Sequence, residues 1–216
     1  MRHPAAAYSA PLLTPPAMPL HEFTALLILA TAMSFTPGPN TTLSTAMAAN
    51  HGLRHSLRFV LAVPVGWTLL LGLCALGVGA LITGLPPLRA GIKAVGIGYL
   101  LWLAWKLSGS GQLAQARPAQ LQISFAQGVL LQFINIKAWF LALTIVAGWV
   151  AGQANFAERM LVVLPVMATY AFCSNLCYAC IGAALRQWLA HGRRLLWFNR
   201  LMAALLVGTA AWMLRA

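Results

Sequence analysis

Residues 34–42, SFTPGPNTT, place two prolines and a glycine directly after the apolar run FTALLILATAM. That run alone predicts the first half of a membrane-spanning helix. Pro37 and Pro39 have no backbone N–H, so the carbonyls of the residues four positions earlier lose their helical donors. These are the carbonyls of Met33 and Phe35, and in hydrocarbon each would cost several kcal/mol without another partner. The stretch therefore predicts a helix break that faces a cavity inside the protein.

The residues after this break have the pattern of a helix start. Proline is favoured at the first helical position, with Gly38 or Thr36 before it as the cap. The N–H groups of Asn40 and Thr41 would then lie at the positive end of the helix dipole, which predicts an anion site within the membrane. The alternative is a simple kink whose free backbone groups are satisfied by neighbouring Ser and Thr hydroxyls.

The composition of the chain is that of a polytopic membrane protein. Of its 216 residues, 61% are hydrophobic and 7% are charged, which leaves more apolar surface than a soluble domain can bury. The net charge of +12 comes from basic residues in short clusters between apolar segments. Such clusters set topology and contact anionic lipid. Membrane lipid is therefore a predicted partner, and nucleic acid is not.

The apolar segments predict an all-α integral membrane fold with six transmembrane helices. The Gly-, Ser- and Gln-rich stretch SGSGQLAQARPAQLQ separates the third segment from the fourth and predicts a solvent-exposed loop. Two domains are expected: residues 1–18 as a disordered extension, with Met18 as an alternative start, and residues 19–216 as a six-helix domain with halves at about 19–107 and 123–216. The six segments are 22–48, 57–84, 88–107, 124–150, 159–185 and 195–214.

The distribution of Lys and Arg predicts the orientation. With six spans, one side carries eight of these residues and the other carries five. The side with more positive charge is expected to be cytoplasmic, so both termini are expected outside.

The fourth segment contains a second unusual stretch. Gln132, Asn135 and Lys137 lie near its middle, and a lysine at a helix centre costs about 2.5–3.5 kcal/mol on insertion scales. The only acidic residues of the chain are Glu22 and Glu158, at segment edges. Lys137 is therefore expected to pair with freed carbonyls, such as those before the prolines, or with a substrate carboxylate. Snorkelling, or pairing with carbonyls at a helix C-terminus, is the structural alternative.

The two unusual stretches occupy corresponding positions, about 15 residues into the first segment of each half. An odd number of spans in each half gives the halves opposite orientations. This arrangement is typical of transporters built from two inverted three-helix repeats, whose interrupted helices meet at the midplane.

At these residues the chain resembles the LysE/RhtB amino-acid exporters. The resemblance extends from about residue 19 to the end of the chain, and its motifs are TPGPN, HGLRHSLRFVLAVPVGW, KAVGIGYLLWLAWKL, SFAQGVLLQFINIKAWF and FNRLMAALLVGTAAWML. It implies an exporter in the bacterial inner membrane with six segments, driven by the proton gradient. The family's Pro-Gly-Pro-Asn/Asp falls on Pro37, Gly38, Pro39 and Asn40.

The family's Asn-Pro-Lys falls on Asn135, Ile136 and Lys137, so the proline is missing here. The sequence leaves open whether the fourth helix is fully broken. An exporter of basic amino acids would need an acidic partner for the substrate cation. Because Asn40 stands where Asp could and no acid is buried, we expect a small neutral substrate such as threonine, homoserine or leucine.

The expected mechanism is alternating access, with the carboxylate of the substrate held by Lys137, by Asn40 and by the first N–H groups after Pro39. The ammonium group of the substrate would meet the carbonyls before the prolines. Polar residues expected to complete the site are Ser34 and Asn175 together with the transport residues of the two motifs. The full set of predicted transport residues is Thr36, Pro37, Gly38, Pro39, Asn40, Thr41, Gln132, Asn135 and Lys137.

No catalytic residue, metal or cofactor is expected, because the chain has no Asp and no clustered ligands. Cys173, Cys177 and Cys180 share a face of the fifth segment, where small apolar packing accounts for them. The residue that would carry a coupled proton is not evident. A structural or sensory membrane protein is the alternative function, and the sequence leaves a homodimer open.

Overall fold

The computed structural model describes residues 18–109 and 123–215, without the side chains of 81–83. This part of the chain is all-helical, with nine α-helices and one π-helical turn at Val146–Val150. The predicted loop and nearly all of the predicted N-terminal extension lie outside the described residues. Met18, the last residue of that extension, is buried. The helices are α1 Leu20–Phe35, α2 Pro39–His51, α3 Leu53–Ala75, α4 Val78–Gly84, α5 Pro86–Ser108, α6 Phe125–Ile134, α7 Ile136–Ile145, α8 Phe156–Leu189 and α9 Arg194–Arg215.

Three of the six predicted segments are divided in the structure. The first consists of α1 and α2, separated by extended backbone at Thr36 and Gly38. The second consists of α3 and the short α4, which are joined through Gly77 at φ 93°. A positive φ is readily adopted by glycine and ends α3 earlier than predicted. The fourth segment consists of α6, α7 and the π-helical turn, whereas α5, α8 and α9 correspond to single predicted segments.

Four of the described helices, α3, α5, α8 and α9, are long and apolar enough to cross a membrane. The bent pair formed by α6 and the helix from Ile136 to Val150 gives a fifth crossing if it is counted as one span. Helix α1 is apolar, but its 16 residues make it shorter than the other spans. The fold is therefore an all-helical multi-pass membrane protein, with four or five spans by length and composition where the sequence predicts six.

Helix α2 lies at the centre of the bundle. Eleven of its 13 residues are buried, and its small Ala, Ser and Thr side chains allow close approach by neighbouring helices. Gly182 of α8 shows how close this approach is, because a Cβ atom there would lie 2.2 Å from the carbonyl oxygen of Thr45. The break before α2 is thus held at the centre of the protein by tight packing against α8.

Two apolar clusters form the core around α2 and α3. One includes Leu43, Phe59 and Leu206, and the other includes Trp67 and Met167. Helix α3 packs against α6 and α8, and α5 packs against α9. This packing brings the two interrupted segments together.

Candidate functional site

The first break lies between α1 and α2, and side chains from distant helices satisfy its carbonyls. The hydroxyl of Tyr178, on α8, donates to the carbonyl oxygen of Phe35 at 2.8 Å. The Nζ atom of Lys137, on α7, donates to the carbonyl oxygen of Thr36 at 2.8 Å. A backbone carbonyl at the break is thus the partner of Lys137, as expected, but it is that of Thr36 and not that of Met33 or Phe35.

The start of α2 follows the predicted pattern, with Pro39 as its first residue and Gly38 before it. The N–H of Gly38 donates to the hydroxyl oxygen of Thr41 at 3.0 Å, and the N–H of Thr42 donates to the carbonyl oxygen of Gly38 at 2.9 Å. Gly38 also leaves space for Lys137. A Cβ atom at Gly38 would lie 3.3 Å from Cδ and 3.4 Å from Nζ of that lysine.

The second break occurs at Asn135, although no proline is present. Asn135 has φ −88° and ψ 98°, which ends α6, and the two parts of the segment are bent by 68°. The side-chain oxygen of Asn135 accepts the N–H of Lys137 at 3.1 Å. The indole N–H of Trp139 donates to the carbonyl oxygen of Phe133 at 2.8 Å. In a continuous helix the N–H of Lys137 would have been the donor to that carbonyl, so side chains replace the lost backbone hydrogen bond.

Asn40 and Gln132 connect the two interrupted segments. The Nδ2 atom of Asn40 donates to Oε1 of Gln132 at 2.8 Å, and the Nε2 atom of Gln132 donates to Oδ1 of Asn40 at 3.2 Å. Gln132 is fully buried and also donates to the carbonyl oxygen of Gly128 at 3.1 Å. The side-chain amide of Asn40, expected to bind the substrate carboxylate, is therefore engaged by Gln132.

A small cavity opens between the two breaks, with a volume of about 60 Å³. Seven of the nine predicted transport residues line it, together with Ser34 and Asn175. Pro37 is exposed and does not line the cavity, and Gln132 contacts it only through Asn40. The seven predicted residues that line the cavity are Thr36, Gly38, Pro39, Asn40, Thr41, Asn135 and Lys137.

Sequence reasoning missed the remaining wall of the cavity. These positions lie in regular, mostly apolar helices, where nothing in the sequence separates a cavity wall from a lipid-facing or core position. Ser174 is the exception, because a polar residue beside Asn175 within the apolar α8 could have been recognised. Tyr178, one helical turn further along α8, was also missed. Met33, whose carbonyl was expected at the break, also lines the cavity, and the other unpredicted lining residues are Val63, Trp67, Ala138, Met167 and Ala171.

Helix α8 holds its part of the site through Asn175. The hydroxyl of Ser44, on α2, donates to Oδ1 of Asn175 at 2.8 Å, and Nδ2 of Asn175 donates to the carbonyl oxygen of Ala171 at 2.8 Å. Ser44 and Asn175 are both buried. Since both polar groups of the Asn175 amide have partners, this residue fixes α8 against the first turns of α2.

Lys137 is the one charged side chain among the described residues that line the cavity. Of the two acidic residues in the chain, Glu22 forms an ion pair with the buried Arg159 in the first turn of α8. Glu158 precedes that arginine in the same turn. The described residues that line the cavity therefore include one cation and the first residues of α2, and none of them has a carboxylate.

The sequence model of the LysE type translocators matches residues 31–216. The chain belongs to the LysE type translocator family. The resemblance inferred from the sequence motifs is thus confirmed, and the chain is a multi-pass transport protein of the inner membrane, in a family whose members are transporters.

Curated relatives within this family are cysteine/O-acetylserine efflux proteins. The protein of Escherichia coli (strain K12) is 32% identical over 184 residues, which cover 83% of this chain and 89% of the relative. The protein of Salmonella typhimurium (strain LT2) is 32% identical over 179 residues, covering 81% and 88%. The protein of Klebsiella pneumoniae subsp. pneumoniae is 31% identical over 175 residues, covering 81% and 87%. No solved structure gives a significant match.

Proposed function

We propose that this translocator exports a small neutral amino acid or amino-acid derivative, with cysteine and O-acetylserine as the first substrates to test. The observation that carries the proposal is the position of Lys137, which lines a cavity between two helix breaks and whose Nζ atom, among the described residues, donates a hydrogen bond to the carbonyl oxygen of Thr36. The cavity has no carboxylate that would hold the side chain of a basic amino acid. Threonine, homoserine and leucine, expected from the sequence, remain candidates.

The proposed binding mode is an exchange of partners at Lys137. The ammonium group of this lysine leaves the carbonyl of Thr36 and pairs with the carboxylate of the substrate. The N–H groups of Asn40 and Thr41, at the start of α2, complete the anion site. The carbonyl of Thr36 is then free to accept the ammonium group of the substrate. Both charges of a zwitterion would be satisfied in this way without an acidic side chain.

The size of the cavity favours a small substrate. A volume of about 60 Å³ accommodates only a few water molecules. Trp67 and Met167 line it and are almost completely buried, so enlarging the cavity would require large side chains to move. We therefore expect cysteine to be exported in preference to leucine and to O-acetylserine, which is about as large as leucine.

Alternating access between two inverted three-helix repeats remains part of the proposal. In this arrangement α1 and α2 together make one crossing, and α6, α7 and the π-helical turn make another. Each half then begins with an interrupted segment. The helices that would be equivalent contact each other, since α3 packs against α8 and α5 packs against α9. The side with more Lys and Arg is proposed to be cytoplasmic.

Export is proposed to be coupled to the proton gradient. Among the described residues that line the cavity there is no carboxylate and no histidine, and Lys137 is the titratable group in direct contact with the break. Export that is unchanged after the proton gradient is collapsed would contradict this coupling.

The test is efflux from a bacterial strain that lacks its own amino-acid exporters. Cells are loaded with dipeptides, and the amino acids that appear in the medium are measured for the wild-type chain, for Lys137→Ala and for Lys93→Ala. The last variant removes a lysine that does not line the cavity. We expect selective release of small neutral amino acids by the wild type and by Lys93→Ala, and none by Lys137→Ala.

The alternative, a structural or sensory membrane protein, predicts a different pattern. The three chains would then release no more amino acid than the empty vector, although all are present in the membrane. Release by Lys137→Ala at the wild-type rate would show that the protein is a transporter but would contradict the proposed binding site.

A further inference from the structure

A second cavity, of about 470 Å³, lies at the opposite end of α2. None of its lining residues lines the first cavity. Along α2, the nearest lining residues of the two cavities are Thr41 and Met47, which are six residues and about 9 Å apart at 1.5 Å per residue. The lining residues come from the end of α2, the start of α3 and the start of α6: Met47, His51, His55, Arg58, Ile123, Ser124, Phe125 and Gln127.

The side chains that can recognise a ligand in this cavity are basic. His51, His55 and Arg58 line it, and Arg186 is close by, within 4.0 Å of the position that a Cβ atom would take on Gly52. Ser124 and Gln127 are less available because they form a reciprocal cap. The N–H of Gln127 donates to Oγ of Ser124 at 3.2 Å, and the N–H of Ser124 donates to Oε1 of Gln127 at 2.9 Å.

The chain has no side-chain carboxylate to neutralise these groups. Its two acidic residues are Glu22, which lies in α1 and pairs with Arg159 in the first turn of α8, and Glu158, which lies in that same turn of α8. Arg186 is in the last turn of the same helix, so 27 residues and about 40 Å separate the two turns. A counter-charge for the second cavity must therefore come from outside the side chains of this protein.

His51 adds a buried polar atom to the wall of this cavity. Its Nε2 atom is buried without a hydrogen-bond partner among the described residues. Buried polar atoms in native proteins are nearly always paired, so an anion that displaced the side chains covering this ring would supply an acceptor for an Nε2–H donor.

The surroundings of the cavity favour a lipid as the source of the anion. It lies at helix ends on the side that the Lys and Arg distribution places in the cytoplasm, which is the level of the lipid headgroups. On the adjoining α6, Phe125 is 45% exposed and Leu130 is 62% exposed, so this helix presents apolar side chains to lipid near the cavity. We propose that this cavity binds a phosphate group, in the first place that of an anionic phospholipid, through Arg58, His55 and His51.

The experiment uses the purified full chain in an uncharged detergent. Phosphatidylglycerol, phosphatidylcholine or inorganic phosphate is added at matched ionic strength. The thermal unfolding midpoint is followed, and retained lipid is counted by native mass spectrometry. Arg58→Gln and His55→Gln are compared with Arg54→Gln, which removes an equal charge one turn earlier on α3 from an exposed residue that does not line the cavity.

We expect phosphatidylglycerol to raise the midpoint and phosphatidylcholine to leave it unchanged. Arg58→Gln should weaken the apparent affinity about fivefold, which corresponds to about 1 kcal/mol for one basic residue at a membrane surface. His55→Gln should weaken it in the same direction, and Arg54→Gln should not. If inorganic phosphate raises the midpoint and the variants weaken its effect in the same order, the phosphate site is supported and its ligand is a soluble phosphate.

Equal losses in Arg54→Gln and Arg58→Gln would overturn the proposal, because they would indicate diffuse attraction to a charged surface. The absence of a response to both phosphatidylglycerol and inorganic phosphate would overturn it as well. If Arg58→Gln fails to fold, the amounts of lipid retained by His55→Gln and by Arg54→Gln are compared. Less lipid on His55→Gln supports the proposal, and equal amounts overturn it. The measurement does not involve transport, so its outcome is independent of the proposed substrate.

Discussion

The two helix breaks meet at one cavity, but they are made by different chemistry. The break after α1 contains Pro37 and Pro39, which remove backbone donors wherever the chain is placed. The break after α6 contains Ile136 where the family pattern has proline, yet Asn135 is extended and the segment bends by 68°. The first break is therefore caused by the prolines themselves, whereas the second depends on contacts with other residues of the bundle.

The contacts at the second break show what replaces a proline. Asn135 caps α7, and Trp139 donates to the carbonyl of Phe133. On the other side, α5 is so close that a Cβ atom on Gly96 would lie 2.1 Å from the carbonyl oxygen of Ile134. Removing one of these contacts should weaken the second break and leave the first intact. The following variants test this comparison.

The largest effect is expected for Gly96→Ala. The new methyl group would overlap the carbonyl of Ile134, and overpacking of this kind costs about 1–3 kcal/mol. Gly98→Ala is the matched control, because a Cβ atom there meets nothing within 4 Å and alanine gains about 0.5–1 kcal/mol over glycine within a helix. The thermal unfolding midpoint in detergent should fall for the first variant and rise for the second. Equal shifts would show that α5 does not hold this break.

A somewhat smaller loss is expected for Trp139→Phe. The indole is replaced by a smaller phenyl ring, so the donor to the carbonyl of Phe133 is lost, and leaving such an acceptor unpaired costs about 1–3 kcal/mol. Trp105→Phe, which changes an exposed indole, should leave the midpoint within about 1 °C, since surface changes are usually within 0.5 kcal/mol. A midpoint for Trp139→Phe equal to that of the wild type would mean that the carbonyl finds another donor.

Asn135→Ala removes the cap of α7, and such a loss costs about 1 kcal/mol. Because the same residue orients Lys137 through its backbone N–H, efflux should decrease more than the midpoint does. Asn135→Asp keeps an acceptor at this position and should retain the midpoint. Full efflux by Asn135→Ala, measured in the dipeptide-loaded cells, would show that the second break needs no cap.

The smallest effect is expected for Ile136→Pro, which restores the family pattern. Ile136 is the first residue of α7, where a proline costs no intrahelical hydrogen bond. The midpoint should change by less than about 2 °C and efflux should be retained. We expect the free energy of unfolding to change by less than about 0.5 kcal/mol, which corresponds to this shift in a chain of this size. Leu131→Pro, in the interior of α6, is the destabilising control. Loss of folded protein in Ile136→Pro would show that the break has a geometry that proline cannot adopt.

The parts of the site that could be predicted are those with a local cause. The double proline predicts the first break, and the lysine without an intramembrane acid predicts a carbonyl or substrate partner. The second break, the pairing of Asn40 with Gln132, and the cavity wall of Trp67 and Met167 could not be predicted in the same way. They depend on which residues from distant parts of the chain meet.

The sequence by itself determined that this is a membrane protein with a helix break at residues 36–38 and a lysine that needs a buried partner. Those conclusions rest on composition, on the missing N–H of proline and on the cost of a charge in hydrocarbon, all of which act at the residue itself. Only the tertiary structure decided that Lys137 contacts Thr36, that Tyr178 contacts Phe35 and that α6 is broken without a proline. In each case the deciding partner is a side chain or a backbone segment that helix packing brings into contact.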